Sequence, residues 1–205
     1  MRKPWNNWFH CTGSTYGAWL RGDQRGRRDR KGKISVPYDY KNPPPAGMYA
    51  GLYRYCLKLM TRDAVVLKRE ECEIACRKFV EALRFHGVEF VDVCVTPTHF
   101  HALCRFVGVS RGGKSPGIAI PGPGADARAT RIRDPRHLIG IAKKESARAL
   151  SKMGLRPKSG IWAVRGKNKE IRDRIHQVRV ARYIRAHVKR GGIVWSLHKE
   201  KWTPG

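Results

Sequence analysis

His99-Phe100-His101 sets two imidazoles at alternate positions of a short segment. In an extended strand, side chains at i and i+2 share a face, so both rings project together. Phe100, Ala102, Cys104 and Phe106 then form the opposite, core-facing set. Paired imidazoles suit a divalent ion, although on a solvated sheet face the same pattern is only two surface histidines. A second group lies later in the chain. At about 100° per residue on a helix, His176, Tyr183 and His187 fall on one stripe, with Arg179 beside them. Tyr183 and His187 are one turn apart, so an ion held by His187 would sit next to the phenolic oxygen. A phenol, with a pKa of about 10, is a weak nucleophile at neutral pH and needs a cation or a base. A metal on His99 and His101 would polarise a phosphodiester and stabilise transition-state charge, while Tyr183 attacks phosphorus. The products are a 5′-phosphotyrosine and a free 3′-hydroxyl, and the retained bond energy allows rejoining. Arg172, Arg174, Arg179, Arg182 and Arg185 lie around the stripe and suit phosphate oxygens.

A sheet and a helix must hold these groups. Val88 to Thr96 alternates Phe90, Asp92, Cys94 and Thr96 against Val91, Val93 and Val95, which predicts a strand. Pro97-Thr98 breaks it, and His99 to Val107 reads as its hairpin partner. Trp8 to Thr15 predicts a first strand, weakened by Gly13. After an extended Val65-Val66-Leu67, Lys68 to His86 carries Ile74, Ala75, Phe79, Ala82 and Leu83 at helical spacing and stops at Gly87. Arg136 to Met153 predicts a helix with Leu138, Ile141, Ala142, Glu145 and Ala149 along one side and Gly154 as its cap. Gly160 to Arg165 reads as a short strand and Glu170 to Lys189 as a last helix, stopped by Gly191-Gly192. Ile193-Val194-Trp195 is a closing strand or packed tail, with Trp195 in the core. The order implies an α+β fold with helices against an antiparallel sheet, as one domain over residues 1–205. Two basic, glycine-rich stretches, near 21–47 and 108–135, interrupt it and are expected to be flexible loop insertions. Asn42-Pro43-Pro44-Pro45 is a stiff connector within the first.

Charge narrows the partner. Lys and Arg number 43 against 16 acidic residues, a net charge of +27 over 205 residues. Such an excess calls for a polyanion, with phosphate backbones the usual one. No long basic amphipathic helix points to a membrane surface, and no apolar run approaches the roughly 20 residues that span a bilayer. No signal peptide is evident, which implies the cytoplasm. The six cysteines form no Cys-x-x-Cys pair, so neither a zinc ribbon nor a disulfide framework is expected, and Cys72 and Cys76 read as buried thiols.

Val95-Thr96-Pro97-Thr98-His99-Phe100-His101-Ala102-Leu103 resembles the His-hydrophobe-His signature of the IS200/IS605-like single-tyrosine transposases. It is most similar to the branch associated with repetitive extragenic palindromes. Trp8-Phe9-His10-Cys11-Thr12, Thr15-Tyr16-Gly17-Ala18-Trp19-Leu20-Arg21-Gly22-Asp23 and Ile171-Arg172-Asp173-Arg174-Ile175-His176-Gln177 to Tyr183-Ile184 also resemble that branch. The resemblance covers most of the chain except Gly108 to Pro135. It implies a ferredoxin-like core, Mg²⁺ or Mn²⁺ dependence, and recognition of a DNA hairpin beside the cut. It assigns metal binding to His99 and His101 and the nucleophile to Tyr183. The family's third ligand is usually Gln or Asn four residues after the tyrosine, where this chain has His187; Thr98 stands where Asn is commoner. Imidazole is less suited than oxygen to a hard ion such as Mg²⁺.

The leading expectation is a cytoplasmic, nucleoid-associated enzyme that cuts and rejoins single-stranded DNA next to a hairpin, as a monomer or homodimer. The alternative is a domesticated hairpin-binding protein without transposition activity. A replication initiator or relaxase fits less well, because this chain is short and has no helicase motif. A ribosomal-type RNA binder explains only the charge. His176 and Arg179 are candidate support residues, and Arg25, Arg27, Arg28, Arg172 and Arg182 candidate DNA contacts. Trp19, Tyr38 and Tyr40 either stack on unpaired bases or pack.

Overall fold

The alternating apolar pattern around Pro97-Thr98 forms a β-hairpin, and the rest of the sheet is built outward from it. The computed structural model describes residues 5–25, 42–107, 134–156 and 160–197. The strands are β1 (Trp8–Thr15), β2 (Glu89–Val95), β3 (His99–Arg105), β4 (Trp162–Glu170) and β5 (Ile193–Ser196). The helices are α1 (Ala50–Lys58), α2 (Arg69–Phe85), α3 (Pro135–Lys152) and α4 (Arg174–Arg185), with a 3-10 turn over Ala186–Arg190. The strand order is β4-β1-β3-β2-β5, and every neighbouring pair is antiparallel. The fold is therefore α+β.

Strand alternation divides the core in two. Phe100, Ala102 and Cys104 of β3 join Phe9, Cys11, Val93 and Val95 beneath α2 and α3, with Phe79, Leu83, Leu138 and Leu150 packed on them. Leu103 points the other way and meets Cys94, Val194 and the inner side of α4: Val180, Ala181 and Ile184. The strand glycine at 13 has a steric reason. It pairs with Phe100, and a Cβ there would collide with the Phe100 ring.

Several boundaries differ from the sequence reading for physical reasons. β4 runs on to Glu170, which pairs with Phe9; its polar run Lys167–Glu170 occupies an edge strand, where apolar alternation is not required. Helix α4 consequently starts at Arg174, where the Asp173 side chain caps it by accepting from the His176 N–H. The buried side of α3 is Leu138, Ile139, Ala142, Ser146 and Leu150; Ile141, Glu145 and Ala149 are only half-buried. Ser146 belongs to that side because its hydroxyl takes the indole N–H of Trp162 at 2.9 Å, a pairing that hydrophobic spacing does not reveal. Helix α1 has no counterpart in the sequence reading and buries no residue fully. Val65-Val66-Leu67 is extended, held by Val65 N–H on the Tyr16 carbonyl and Leu67 N–H on that of Pro97. Ile193-Val194-Trp195 is a true strand, and Trp195 is buried in the core. Cys72 and Cys76 are buried and free. Residues 26–41 and 108–133, which hold most of both basic loops, lie outside the described residues.

One buried carboxylate ties α2 to the end of α3. Both Glu71 carboxylate oxygens accept from Arg156 at 2.6 Å, and one also accepts the Lys68 N–H at 2.7 Å. Burial resists ionisation of Glu71, but these bonds outweigh it and hold its carboxyl below the usual value. A lowered carboxyl pKa stabilises the fold fully above the unfolded value, and that stability disappears as pH falls through the folded one. Thermal melts from neutral pH to about pH 3 should show Glu71→Gln less stable at neutral pH by about 1–2 kcal/mol. The variant should also lose part of the wild-type acid sensitivity.

Candidate metal centre

β3 turns His99 and His101 toward α4, on the face opposite Phe100. The 3-10 turn that follows α4 brings His187 down onto them. One nitrogen from each ring lies within 4.8 Å of the others, a spacing that can hold a metal ion. The ring centroids are 4.9 Å apart for His99 and His101, 4.6 Å for His101 and His187, and 5.4 Å for His99 and His187. His101 and His187 are 3% exposed, so an ion there would be largely screened from water.

The Nδ1 atom of each ring meets a protein partner. His187 Nδ1 is 2.9 Å from the Tyr183 carbonyl, which can only accept, so Nδ1 carries the proton. Thr96 Oγ1 donates its proton to the His99 carbonyl at 2.9 Å, and the Thr96 and Thr98 hydroxyls lie 2.9 Å and 3.1 Å from His99 Nδ1. His101 Nδ1 lies 3.0 Å from His10 Nε2 with the rings stacked. Burial, with the charges of Lys169, His176 and His187, lowers the His10 pKa to about 4, so at neutral pH His10 is uncharged and can accept that proton. Each ring's Nδ1 is thus held by a protein group, and for His187 the carbonyl partner leaves Nε2 as the lone-pair nitrogen. Nδ1 partners of this kind are how proteins orient metal-binding histidines.

The sequence alone does not mark His10 as a site residue. Its alternation with Phe9 and Cys11 places it on the outer face, but only the strand register reveals its partner. His10 pairs with Leu103 and His101 with Thr12, so the two imidazoles are diagonal cross-strand neighbours.

Two further features place His187. The Gly192 N–H donates to the His187 carbonyl at 2.9 Å. A Cβ on Gly192 would lie 2.9 Å from that oxygen and 3.0 Å from Cys94 Sγ, so glycine is needed where the chain turns under the ligand. Arg185 reaches β2 and bonds Asp92 at 2.9 Å, with the Asp92 side chain 0% exposed. Arg185→Ala leaves that carboxylate buried without its cation. We expect a loss of roughly 2–3 kcal/mol in urea denaturation, less than for a fully enclosed pair because Arg185 is partly exposed. The double variant Asp92→Leu/Arg185→Leu should recover most of it.

Tyr183 stands over the cluster. Its ring meets His187 edge-on at 4.7 Å, His101 at 5.3 Å and His10 at 6.1 Å, while remaining 43% exposed. The other sequence candidates are dispersed. His176 lies outside the metal cluster; its Nδ1 accepts the Arg172 N–H at 3.1 Å, and burial together with Arg172 and Lys169 lowers its pKa. Arg172, Arg179 and Arg182 are exposed on and beside α4. Arg25 is engaged internally by Asp23 and the Ala18 carbonyl, 4.3 Å above the Trp19 ring. Arg27, Arg28, Tyr38 and Tyr40 lie outside the described residues. Burial pushes the Cys72 and Cys94 thiols up to about 12, so neither supplies a thiolate.

Comparison of the chain with protein-family models, curated proteins and solved structures returns no match. Among the described residues, no helix is long and apolar enough to cross a membrane.

Calorimetric titration of chelator-treated protein with Mn²⁺ tests the centre. His101→Ala and His187→Ala should abolish measurable binding. His10→Ala should weaken it about 10–100-fold, the range for losing an outer partner of a ligand. His10→Gln, which keeps an acceptor, should recover part of that loss.

Proposed function

We propose that this protein is a DNA strand-transferase that cuts and rejoins single-stranded DNA beside a hairpin, with Tyr183 as its nucleophile. One observation carries the reading: a solvent-accessible phenol leans edge-on over His101 and His187 of a buried three-histidine cluster. Edge-to-face packing accounts for the ring contacts, but it does not require the exposed phenol that the reading uses. Two further features support it. The net charge of +27 suits a polyanionic substrate. The path β1-α2-β2-β3-α3-β4, with spatial order β4-β1-β3-β2 and both helices on one face, agrees with the ferredoxin-like core that the transposase resemblance implies. A DNA substrate would place the protein with the nucleoid.

In this reading His99, His101 and His187 hold a divalent cation, which supplies charge stabilisation at the phosphate. Three imidazoles favour Mn²⁺ over Mg²⁺. Tyr183 Oη forms the new bond to phosphorus and gives its proton to solvent at the open rim. The P–O3′ bond breaks, and the departing 3′ oxygen takes up a proton. The downstream strand stays on Tyr183 through its 5′ phosphate, and a 3′-hydroxyl reverses the step without an external energy source. The alternative, a hairpin-binding protein without strand transfer, is favoured by one feature: His187 replaces the oxygen ligand that a Mg²⁺ site would use.

The test is incubation with labelled single-stranded hairpin oligonucleotides and Mn²⁺ or Mg²⁺, followed by denaturing gels. A covalent adduct should form, faster with Mn²⁺, carrying the fragment downstream of the cut, and Tyr183→Phe should abolish it. Tight hairpin binding with no adduct in either metal would establish the alternative. An adduct that survives Tyr183→Phe would sink the assignment of the nucleophile.

A further inference from the structure

Helix α4 covers only part of the sheet face that bears the histidines. Its packing is chiefly on β2, β3 and β5. Among the described residues no helix covers the same face toward β4, and the register shows what it presents. Thr12 pairs with His101 on one side and Lys167 on the other, so the three form one row across β3, β1 and β4. In the next row Leu103, His10 and Lys169 lie side by side. Both lysines are exposed, and Thr12 and Ser14 are half-exposed beside them. With strands about 4.8 Å apart, each lysine is within side-chain reach of the histidine cluster.

The cations continue around the rim. Lys169, Arg172 and Arg179 all act on His176, and Lys169 and His176 both act on His10. The carboxylate among them, Asp173, already accepts the His176 N–H at the head of α4. Positive charge therefore gathers along one open side of the site, with hydroxyls interleaved and Tyr183 at its inner end.

We propose that the open β1–β4 half of this face is the track along which a single nucleic-acid strand reaches Tyr183, with Lys167 and Lys169 each neutralising a backbone phosphate. The proposal rests on the reading of the substrate as single-stranded DNA. Lysine is apt here because a flexible point charge follows a sugar-phosphate chain without demanding one sequence.

The deciding experiment is binding of a fluorescent single-stranded oligonucleotide, followed by anisotropy in EDTA across a range of KCl concentrations, so that no cutting intervenes. Each phosphate contact on a single strand contributes about 0.7 to the slope of log affinity against log salt. Lys167→Ala/Lys169→Ala should reduce the slope by about 1.4 and weaken binding about tenfold at moderate salt. Lys144→Ala, on α3 at the opposite face, should leave both unchanged. Equal slopes and affinities for the double variant and wild type overturn the track, as does a wild-type protein that does not bind the oligonucleotide. Adduct assays separate this outcome from the function itself. If the double variant forms adduct with wild-type KM, the track falls and the strand-transferase stands. If the slope drops as expected but no adduct ever forms, the track stands and the strand-transferase falls.

Discussion

The Asp92 carboxylate, wholly enclosed at the sheet and answered by Arg185, governs the rest of the site. A buried charge tolerates few arrangements of its partner, so the ion pair restricts both how far along β2 helix α4 can lie and how it is rotated. Val180, Ala181 and Ile184 supply the apolar adhesion, but apolar contact is non-directional and would permit sliding. With Arg185 anchored, Tyr183 and His187 arrive on either side of the anchor, over β3. The site is thus a docking product: neither the strand pair nor the helix contains it alone.

Hydrogen bonds also orient every imidazole of the cluster. Tyr183 contributes twice, through its ring above the imidazoles and through its carbonyl, which orients His187. Thr96 and Thr98 orient His99 from the hairpin turn itself. His10 orients His101 from the neighbouring strand. Each ligand is therefore set by a different element, which makes the centre sensitive to how strand, turn and helix end are assembled.

The readable part of this chain was the part governed by local periodicity. His99 and His101 share a face because strands alternate, and Phe100 between them is core for the same reason. Tyr183 and His187 are one turn apart because helices repeat. What stayed hidden depends on register and on polar exceptions to apolar patterns. His10 needed the β1–β3 pairing before it could be matched with His101. Ser146 is a buried helix position because of one indole N–H, not because of its own polarity. The end of β4 carries almost no apolar signal, so periodicity alone places the boundary between strand and helix too early. Arg25 is one of several loop cations in the sequence, and only the fold shows Asp23 and Trp19 holding it.

The placement of β4 has a consequence for how the molecule lives among its own copies. It forms one margin of the sheet, and a bare margin offers backbone groups to any passing strand. Lys167 and Lys169 put like charges along that margin, so two copies approaching edge to edge would repel before their backbones could pair. Among the described residues, the same two lysines that make this margin basic thus also oppose edge-to-edge pairing.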